Sequence, residues 1–173
     1  MMPRMSGKIA LITGAASGLG KADAWRLAEE GATVILTDIN DEGQAIAEEI
    51  CESTGQETRF YQHDVSSESR WEEIMSAVVE EFGGLDVLVN NAGVVVIATP
   101  EDTTLEQFRF ANSVMSEGVF LGCRAAIPAM KLRGGGSIIN MSSVASHLGY
   151  PVYFAYTAAK GAVRSMTKSI AVH

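Results

Sequence analysis

Five short runs typical of β-strands, four of them largely apolar, alternate with helix-length segments along this 173-residue chain. The runs cover residues 9–13, 33–37, 59–63, 85–89 and 137–141, and the predicted helices cover residues 18–30, 41–51, 67–82, 105–132 and 152 to the end. Strands that are apolar along their whole length are typical of a parallel sheet buried on both faces. We therefore predict an α/β fold, a doubly wound parallel sheet with helices on both faces, in a single domain over residues 1–173.

A glycine-rich turn, Thr13-Gly-Ala-Ala-Ser-Gly-Leu-Gly20, follows the first run and opens the first helix. Gly14 permits the tight turn, Gly18 lets a pyrophosphate approach the backbone, and Gly20 lets the helix pack closely on the strand. The N–H groups and dipole of the helix N-terminus favour phosphate there. A glycine triplet alone is weak evidence, but this strand–turn–helix context indicates a dinucleotide-binding domain of the Rossmann type.

Asp38 ends the second run, where a carboxylate can accept hydrogen bonds from both hydroxyls of the adenosine ribose. A 2′-phosphate would bring negative charge against it, and that repulsion is costly in a partly buried site. Neither residues 13–20 nor Ile39 and Asn40 supply an Arg or Lys to neutralise such a phosphate. The sequence thus predicts NAD as the cofactor, the alternative being an Asp that only caps the next turn.

Composition excludes several classes of partner. The net charge of −8 argues against binding to nucleic acid or to an anionic membrane surface. The longest apolar run, Val94–Ala98, is far shorter than the roughly 20 residues of a membrane span. Cys51 and Cys123 form no CxxC pair and the three histidines lack metal-ligand spacing, so we expect reduced thiols, no metal and a cytoplasmic location.

Four motifs resemble those of the short-chain dehydrogenase/reductase family. The glycine turn has that family's TGxxxGxG spacing, and residues 90–93 read Asn-Asn-Ala-Gly, its NNAG motif. Tyr156 and Lys160 match its YxxxK, with Ser143 thirteen positions before the tyrosine, and Asp64-Val65 matches its adenine-contacting pair. The motifs keep the family's order and spacing across the chain, which makes the resemblance specific.

The resemblance implies a hydride transfer between NAD(H) and a secondary alcohol or ketone, with catalytic roles for three side chains. Tyr156 exchanges a proton with the substrate oxygen, Lys160 also binds the nicotinamide ribose, and Ser143 orients that oxygen. Tyr156 and Lys160 are four apart, so they share one face of a helix. A free tyrosine has a pKa near ~10, and an adjacent ammonium favours the phenolate that a general base requires.

The motifs together assign the cofactor contacts. These are Gly14, Ser17, Gly18, Leu19, Gly20, Asp38, Ile39, Asp64, Val65, Asn90, Ala92, Gly93, Tyr156 and Lys160. Tyr153 competes with Tyr156 for the catalytic role, but residue 157 is threonine, so it lacks the lysine partner. His147 is interpreted as an exposed loop histidine, with substrate contact as the alternative.

The chain departs from the family pattern in two places. Met115 stands three residues before Gly118, where the resemblance implies an asparagine that helps to hold a proton-relay water; Asn112 lies three residues earlier. A thioether cannot both donate and accept hydrogen bonds as an amide does. The resemblance also implies two further strands after the last helix, so we expect a partial chain, or one completed by a partner.

These departures leave a second hypothesis open, a catalytically impaired protein that binds NAD(H) or serves in assembly. Retention of the catalytic trio counts against it.

The helices predicted at 105–132 and from residue 152 are rich in Ala, Met and Val, which predicts a homo-oligomer, a dimer or tetramer.

Overall fold

The computed structural model describes residues 3–173, which form one five-stranded parallel sheet flanked by helices. The strands are β1 (Ile9–Thr13), β2 (Thr33–Asp38), β3 (Thr58–Gln62), β4 (Val87–Asn90) and β5 (Ser137–Asn140). The helices are α1 (Gly18–Glu29), α2 (Gly43–Thr54), α3 (Glu68–Phe82), α4 (Leu105–Asn112), α5 (Gly118–Leu132) and α6 (Phe154–Ala171). The strand order is β3-β2-β1-β4-β5, so the predicted doubly wound α/β class is confirmed.

Alternate side chains of β1 show why both faces of the sheet must be covered. Ile9 and Leu11 belong to the core cluster formed with α3 and α5. Ala10 and Ile12 belong to the cluster on the opposite face, formed with α1 and α2. Because every side chain of the strand is buried, the strand is apolar from Ile9 to Ile12 instead of alternating, and only Thr13 at its end is polar.

The strand order reverses beside β1, since β2 and β3 lie on one side of it and β4 and β5 on the other. The loops after β1 and β4 therefore diverge at the carboxyl edge of the sheet and open a crevice, the usual ligand position in this architecture. The glycine turn and residues 90–93 meet at this crevice.

Local side-chain chemistry moves two helix starts away from the predicted positions. The second helix begins at Gly43 instead of residue 41, because the Asn40 side-chain oxygen accepts the Glu42 N–H at 3.1 Å and forms a turn. The last helix begins at Phe154 instead of residue 152, because the Val152 carbonyl accepts the Ala98 N–H at 2.9 Å. That helix ends at Ala171, so the prediction that it runs to the end of the chain was wrong.

The helix predicted over residues 105–132 is interrupted by a π-helical turn, Ser113–Glu117, which joins α4 to α5. Such a turn holds one extra residue, and carbonyls around it lose their regular partners. The Asn112 side chain donates to the Phe108 carbonyl and the Ser113 hydroxyl to the Phe110 carbonyl, both at 2.9 Å. No glycine or proline marks the turn, so periodicity alone predicted an unbroken helix.

His63 lies just after β3 and is buried beneath the crevice, with 2% of its surface exposed. Its Nδ1 lies 3.1 Å from the Thr37 hydroxyl, and its ring packs edge-on against Trp71 at a centroid distance of 4.4 Å. Burial, together with the positive charge of Arg70, lowers the pKa of His63 to about 4. The folded protein therefore holds this imidazole in its neutral form.

Acidification should destabilise the fold through His63. Because its pKa is depressed in the folded state, the unfolded chain binds more protons once the pH falls below 6.5, and stability decreases progressively toward pH 4. We expect a loss of about 2 kcal/mol between pH 7 and pH 5, measured by urea unfolding at each pH.

The variant His63→Gln should lose this pH dependence, whereas His147→Gln, which changes an exposed histidine, should keep it. Equal slopes of unfolding free energy against pH in wild type and His63→Gln would contradict the assignment.

Candidate active site

A cavity of about 620 Å³ occupies the crevice at the carboxyl edge of the sheet. It brings together most of the residues that the sequence predicted: Gly14, Ser17, Gly18, Leu19, Asp38, Ile39, Asp64, Val65, Ala92, Gly93, Tyr156 and Lys160 line its wall. Gly20, Asn90 and Ser143 lie outside the wall. The volume falls within the range usual for cofactor and substrate sites.

The glycine turn has the backbone shape that close approach of a phosphate requires. Gly14 and Gly18 have φ of 66° and 54°, in the left-handed region that favours glycine. A Cβ on Gly20 would lie 2.3 Å from the Gly14 carbonyl oxygen, so no side chain fits there. Within residues 3–173 the Ser17 side chain accepts no capping hydrogen bond, which leaves first-turn N–H groups of α1 available to an anion. The turn therefore fits a dinucleotide pyrophosphate.

Asp38 is fixed between the glycine turn and the turn that follows β2. One carboxylate oxygen accepts the Ala16 N–H at 2.9 Å and the other accepts the Asn40 N–H at 3.0 Å. The second bond is the capping role that the sequence left as an alternative, and the first ties the carboxylate to the nucleotide turn. Each carboxylate oxygen has a further lone pair, so both can accept from a bound ribose.

Hydrogen bonds between Thr13 and Asn91 join the loops after β1 and β4. The Thr13 hydroxyl accepts the N–H groups of Asn91 and Ala92, each at 3.0 Å. The Asn91 side chain donates to the carbonyls of Thr13 and Gly14, at 2.9 and 3.1 Å. Neither Thr13 nor Asn91 was among the predicted site residues, although both lie inside the motifs; their role depends on contacts between distant segments.

Tyr156 and Lys160 lie one turn apart on α6, with the lysine Nζ 5.8 Å from the centroid of the tyrosine ring. Lys160 is buried, and its Nζ donates to the Met141 carbonyl at 2.6 Å. Burial lowers the pKa of Lys160. An ammonium has three N–H donors, so groups bound in the cavity can receive the others.

The two serines after β5 have different surroundings. Ser142 lines the cavity and its hydroxyl donates to the Lys160 carbonyl at 3.1 Å. The Ser143 hydroxyl accepts the Ala145 N–H at 3.1 Å and begins the short 3₁₀ turn Val144–Ser146. Its own hydrogen remains free to donate, as a substrate-orienting serine requires. The spacing to Tyr156 in the sequence favours Ser143 as the serine that orients the substrate. The structure, however, places Ser142 on the cavity wall.

Met115 is fully buried at the centre of the π turn. It packs in a small apolar cluster with Ala155 and Ala159 of α6, against which Tyr156 also lies. In this turn the cavity wall is instead formed by Ser113 and Val114. The methionine therefore packs against α6, the helix that carries Tyr156 and Lys160. The amide of Asn112, bonded to Phe108, does not take its place.

His147 is exposed and lies outside the cavity wall, as the sequence predicted. Within residues 3–173 no group of three His, Cys, Asp or Glu side chains could hold a metal ion. Over the same residues, no helix combines the length and apolar character needed to cross a membrane.

Comparison with known proteins agrees with this geometry. The family model described as short chain dehydrogenase matches residues 8–173. The chain is 43% identical to an NADP-dependent (R)-specific alcohol dehydrogenase of Lentilactobacillus kefiri, over 99% of this chain and 68% of the relative. It is 44% identical to a 3-beta-hydroxysteroid dehydrogenase of Comamonas testosteroni, over 99% of this chain and 66% of the relative. The chain thus spans about two thirds of the length of these relatives.

Among solved structures, an NAD+-bound xylitol dehydrogenase superposes with a TM-score of 0.93 at 34% identity, over 98% of this chain and 65% of the other. The relatives are dehydrogenases by name, which does not favour the hypothesis of a binding or assembly protein without turnover. The family's members use nicotinamide cofactors and act on alcohols. With the family model matched from residue 8 to residue 173, the chain belongs to the short-chain dehydrogenase/reductase family.

Proposed function

We propose that this chain carries the cofactor site and the catalytic groups of an NAD-dependent dehydrogenase that interconverts a secondary alcohol and a ketone. The observation that carries the proposal is that Tyr156 and Lys160 share one cavity with the glycine turn and Asp38. A cavity with nucleotide-binding features at one end and a phenol–ammonium pair at the other supports hydride transfer beside proton transfer.

The nucleotide end would hold the cofactor through backbone and side-chain groups. The glycine turn and the N-terminus of α1 bind the pyrophosphate. Asp38 accepts from the adenosine ribose, and Asp64 with Val65 borders the adenine. Ala92 and Gly93 border the nicotinamide half, with Asn90 behind them. When bound, the nicotinamide ring accepts or supplies the hydride.

The proton is handled by side chains at the other end of the cavity. In the oxidative direction the Tyr156 phenolate would take the proton of the alcohol O–H, and the carbon that bears this oxygen would give its hydride to bound NAD+. Lys160 favours the phenolate through its positive charge and donates to the nicotinamide ribose. The family spacing assigns the contact to the substrate oxygen to Ser143, although its neighbour Ser142 is the serine on the cavity wall. Reduction of the ketone reverses each step.

Asp38 supports NAD over NADP. Family membership does not decide the question, since the Lentilactobacillus relative is NADP-dependent. A 2′-phosphate would approach a carboxylate whose two oxygens are already held in place by Ala16 and Asn40 N–H groups. Rotation of the carboxylate away from the phosphate would break these hydrogen bonds. The electrostatic repulsion between Asp38 and a 2′-phosphate therefore disfavours NADP.

The substrate end of the cavity supports an apolar secondary alcohol. Its wall includes Val94, Val95, Phe110 and Val114, and among residues 3–173 Lys160 is the one charged residue that lines the cavity outside the nucleotide end. A hydroxysteroid, the substrate named for the Comamonas relative, is an alcohol of this kind. An uncharged ring alcohol fits this wall better than a sugar phosphate or an amino acid.

The remaining parts of the proposal concern location and assembly. Cys51 and Cys123 are both free thiols, which supports the reducing cytoplasm. Large apolar side chains, among them Leu105 of α4 and Phe120 of α5, are exposed at 62% and 47%. An apolar surface of this kind supports a homo-oligomer, a dimer or tetramer.

Replacing the phenol should stop turnover without removing the cofactor site. We expect Tyr156→Phe to lower kcat with NAD+ and apolar secondary alcohols by at least about 100-fold, because the general base is lost. NADH absorbance measures turnover, and NADH fluorescence, measured alongside, reports cofactor binding. Tyr153→Phe removes the same hydroxyl from the neighbouring tyrosine and should remain near wild type. Turnover by Tyr156→Phe at the wild-type rate would exclude the assigned base, and a wild type that binds NADH but oxidises no alcohol would exclude the enzyme hypothesis.

Removing the charge of Asp38 should weaken the preference for NADH. Asp38→Asn keeps the shape of the side chain, and we expect the ratio of NADPH to NADH dissociation constants to fall about tenfold or more. Titration of both cofactors by fluorescence measures that ratio. Asp41→Asn, which removes a charge from an exposed position outside the cavity wall, is the matched control. An unchanged ratio in Asp38→Asn would show that another feature sets cofactor choice.

A further inference from the structure

A chain of hydrogen-bonded side chains runs from β4 to α6 beneath the cavity. Asn90 and Asn140 end β4 and β5 and are register partners in the parallel pair. The Asn90 amide donates to the Asn140 side-chain oxygen at 2.9 Å. The Asn140 amide in turn donates to the Thr167 hydroxyl on α6 at 3.0 Å, and that hydroxyl donates to the Val163 carbonyl at 2.8 Å.

Two features of α5 accommodate this chain. A Cβ on Gly122 would lie 2.4 Å from the Asn90 side-chain oxygen, so only glycine allows the amide to sit there. The Cys123 thiol lies 3.6 Å from both the Asn90 nitrogen and the Asn140 oxygen. Burial raises the pKa of Cys123, so the thiol remains a neutral, weak partner. The amide nitrogens of both asparagines and the side-chain oxygen of Asn140 thus have hydrogen-bond partners among apolar neighbours.

The same strand end also holds the ammonium of the site. Met141, next to Asn140, receives the Lys160 ammonium on its carbonyl at 2.6 Å. Its own N–H donates to the Asn90 carbonyl at 3.0 Å. Lys160 and Thr167 are seven residues apart, about two turns of α6. The end of β5 therefore forms hydrogen bonds with α6 at two levels, at Lys160 and, two turns further along the helix, at Thr167.

Apart from these bonds and the one from the Ser142 hydroxyl to the Lys160 carbonyl at 3.1 Å, α6 packs on the sheet through apolar side chains. Val163, Met166 and Ile170 of α6 pack near Ile138 of β5 and the buried Cys123. Apolar contacts are non-directional, and they resist separation of the helix from the sheet more than sliding along the helix axis. A hydrogen bond between fixed partners is directional and sets the axial position.

We propose that Asn140 and Thr167 are positioning residues, whose hydrogen bond fixes α6 along its axis and thereby holds Lys160 on the Met141 carbonyl and keeps Tyr156 and Lys160 at the cavity wall. Neither side chain touches the cavity, so they act on the reaction only through the helix. This inference rests on the proposed function, which gives Lys160 its role. The effect of the Asn140–Thr167 hydrogen bond on cofactor binding can be measured without turnover.

Thr167→Val tests the bond with a side chain of the same shape and no hydroxyl. We expect kcat to fall about tenfold, since a small displacement of catalytic groups is costly, while KM for the alcohol changes less than about twofold. The NADH dissociation constant should rise about three- to tenfold, the effect of weakening one hydrogen bond to the ribose. Thr167→Ser keeps the hydroxyl and should restore both values to within about twofold of wild type.

The chain offers a matched control in Thr54 at the end of α2. Its hydroxyl donates to the Ile50 carbonyl at 2.7 Å and accepts the Gln56 N–H at 3.2 Å, so it also makes one bond within the helix and accepts one from outside it. Thr54→Val should lose comparable stability in urea unfolding but leave kcat and NADH affinity near wild type. This comparison separates loss of stability from loss of position.

Each result decides the proposal. Equal kcat and NADH affinity in Thr167→Val and Thr54→Val would overturn it, as would failure of Thr167→Ser to restore the wild-type values. If Thr167→Val does not fold, Thr167→Ala leaves room for a water to pair with the Asn140 amide and is measured in its place. A wild type without turnover would refute the proposed function, yet the NADH affinities of the same variants would still support or overturn the positioning role.

Discussion

The hydrogen bonds between Thr13 and Asn91 hold together the two loops on which the whole cavity depends. Regular pairing of β1 with β4 ends at Ile12 and Val89, because the chain leaves the sheet in opposite directions beyond that point. Side-chain bonds then take over from the backbone ladder, with the Thr13 hydroxyl pairing two N–H groups and the Asn91 amide pairing two carbonyls. Without them, several buried backbone groups would be unpaired at the point where the site needs a rigid opening.

At the amino ends of β1 and β4, a buried carboxylate takes the part that the Asn91 amide plays at the carboxyl ends. Asp86 is buried and accepts from the Ile9 N–H at 3.0 Å, Lys8 at 2.9 Å and Arg133 at 3.0 Å. Burial alone would raise the pKa of Asp86, but these hydrogen bonds outweigh it and the pKa is lowered. The carboxylate thus ties the start of β1 to the end of α5, at the edge away from the cavity. Side-chain hydrogen bonds at both ends of β1 and β4 thus add to the backbone pairing and the apolar packing of the sheet.

The sequence predicted what depends on neighbouring residues. Strand runs, the glycine turn and the shared face of Tyr156 and Lys160 follow from local periodicity and local steric needs, and the family resemblance identified the order of the motifs. The π turn could not be predicted, because Asn112 and Ser113 stabilise it with bonds that any polar residue could make.

The hydrogen bonds between distant segments could not be predicted from the sequence either. Asn91 and Thr13 are 78 positions apart, and Asn140 reaches Thr167 across 27, so only the folded sheet brings them together. Met115 shows the same limit. The sequence placed a thioether where an amide was expected, but only the structure shows that this residue faces α6 while Ser113 and Val114 face the cavity.

The electrostatics of Lys160 depend on what is absent around it as much as on what it contacts. Within residues 3–173 no carboxylate lies within ion-pair distance of its ammonium, although Lys8, Arg59 and Arg124 each have an acidic partner in this strongly acidic chain. A carboxylate beside Lys160 would cancel much of its positive charge at this end of the cavity. The neutral Met141 carbonyl instead pairs one N–H without adding charge. Burial disfavours the ammonium, but the same low dielectric strengthens its attraction for a phenolate. A neutral partner in a buried position therefore leaves the positive charge of Lys160 on the cavity wall, 5.8 Å from the centroid of the Tyr156 ring.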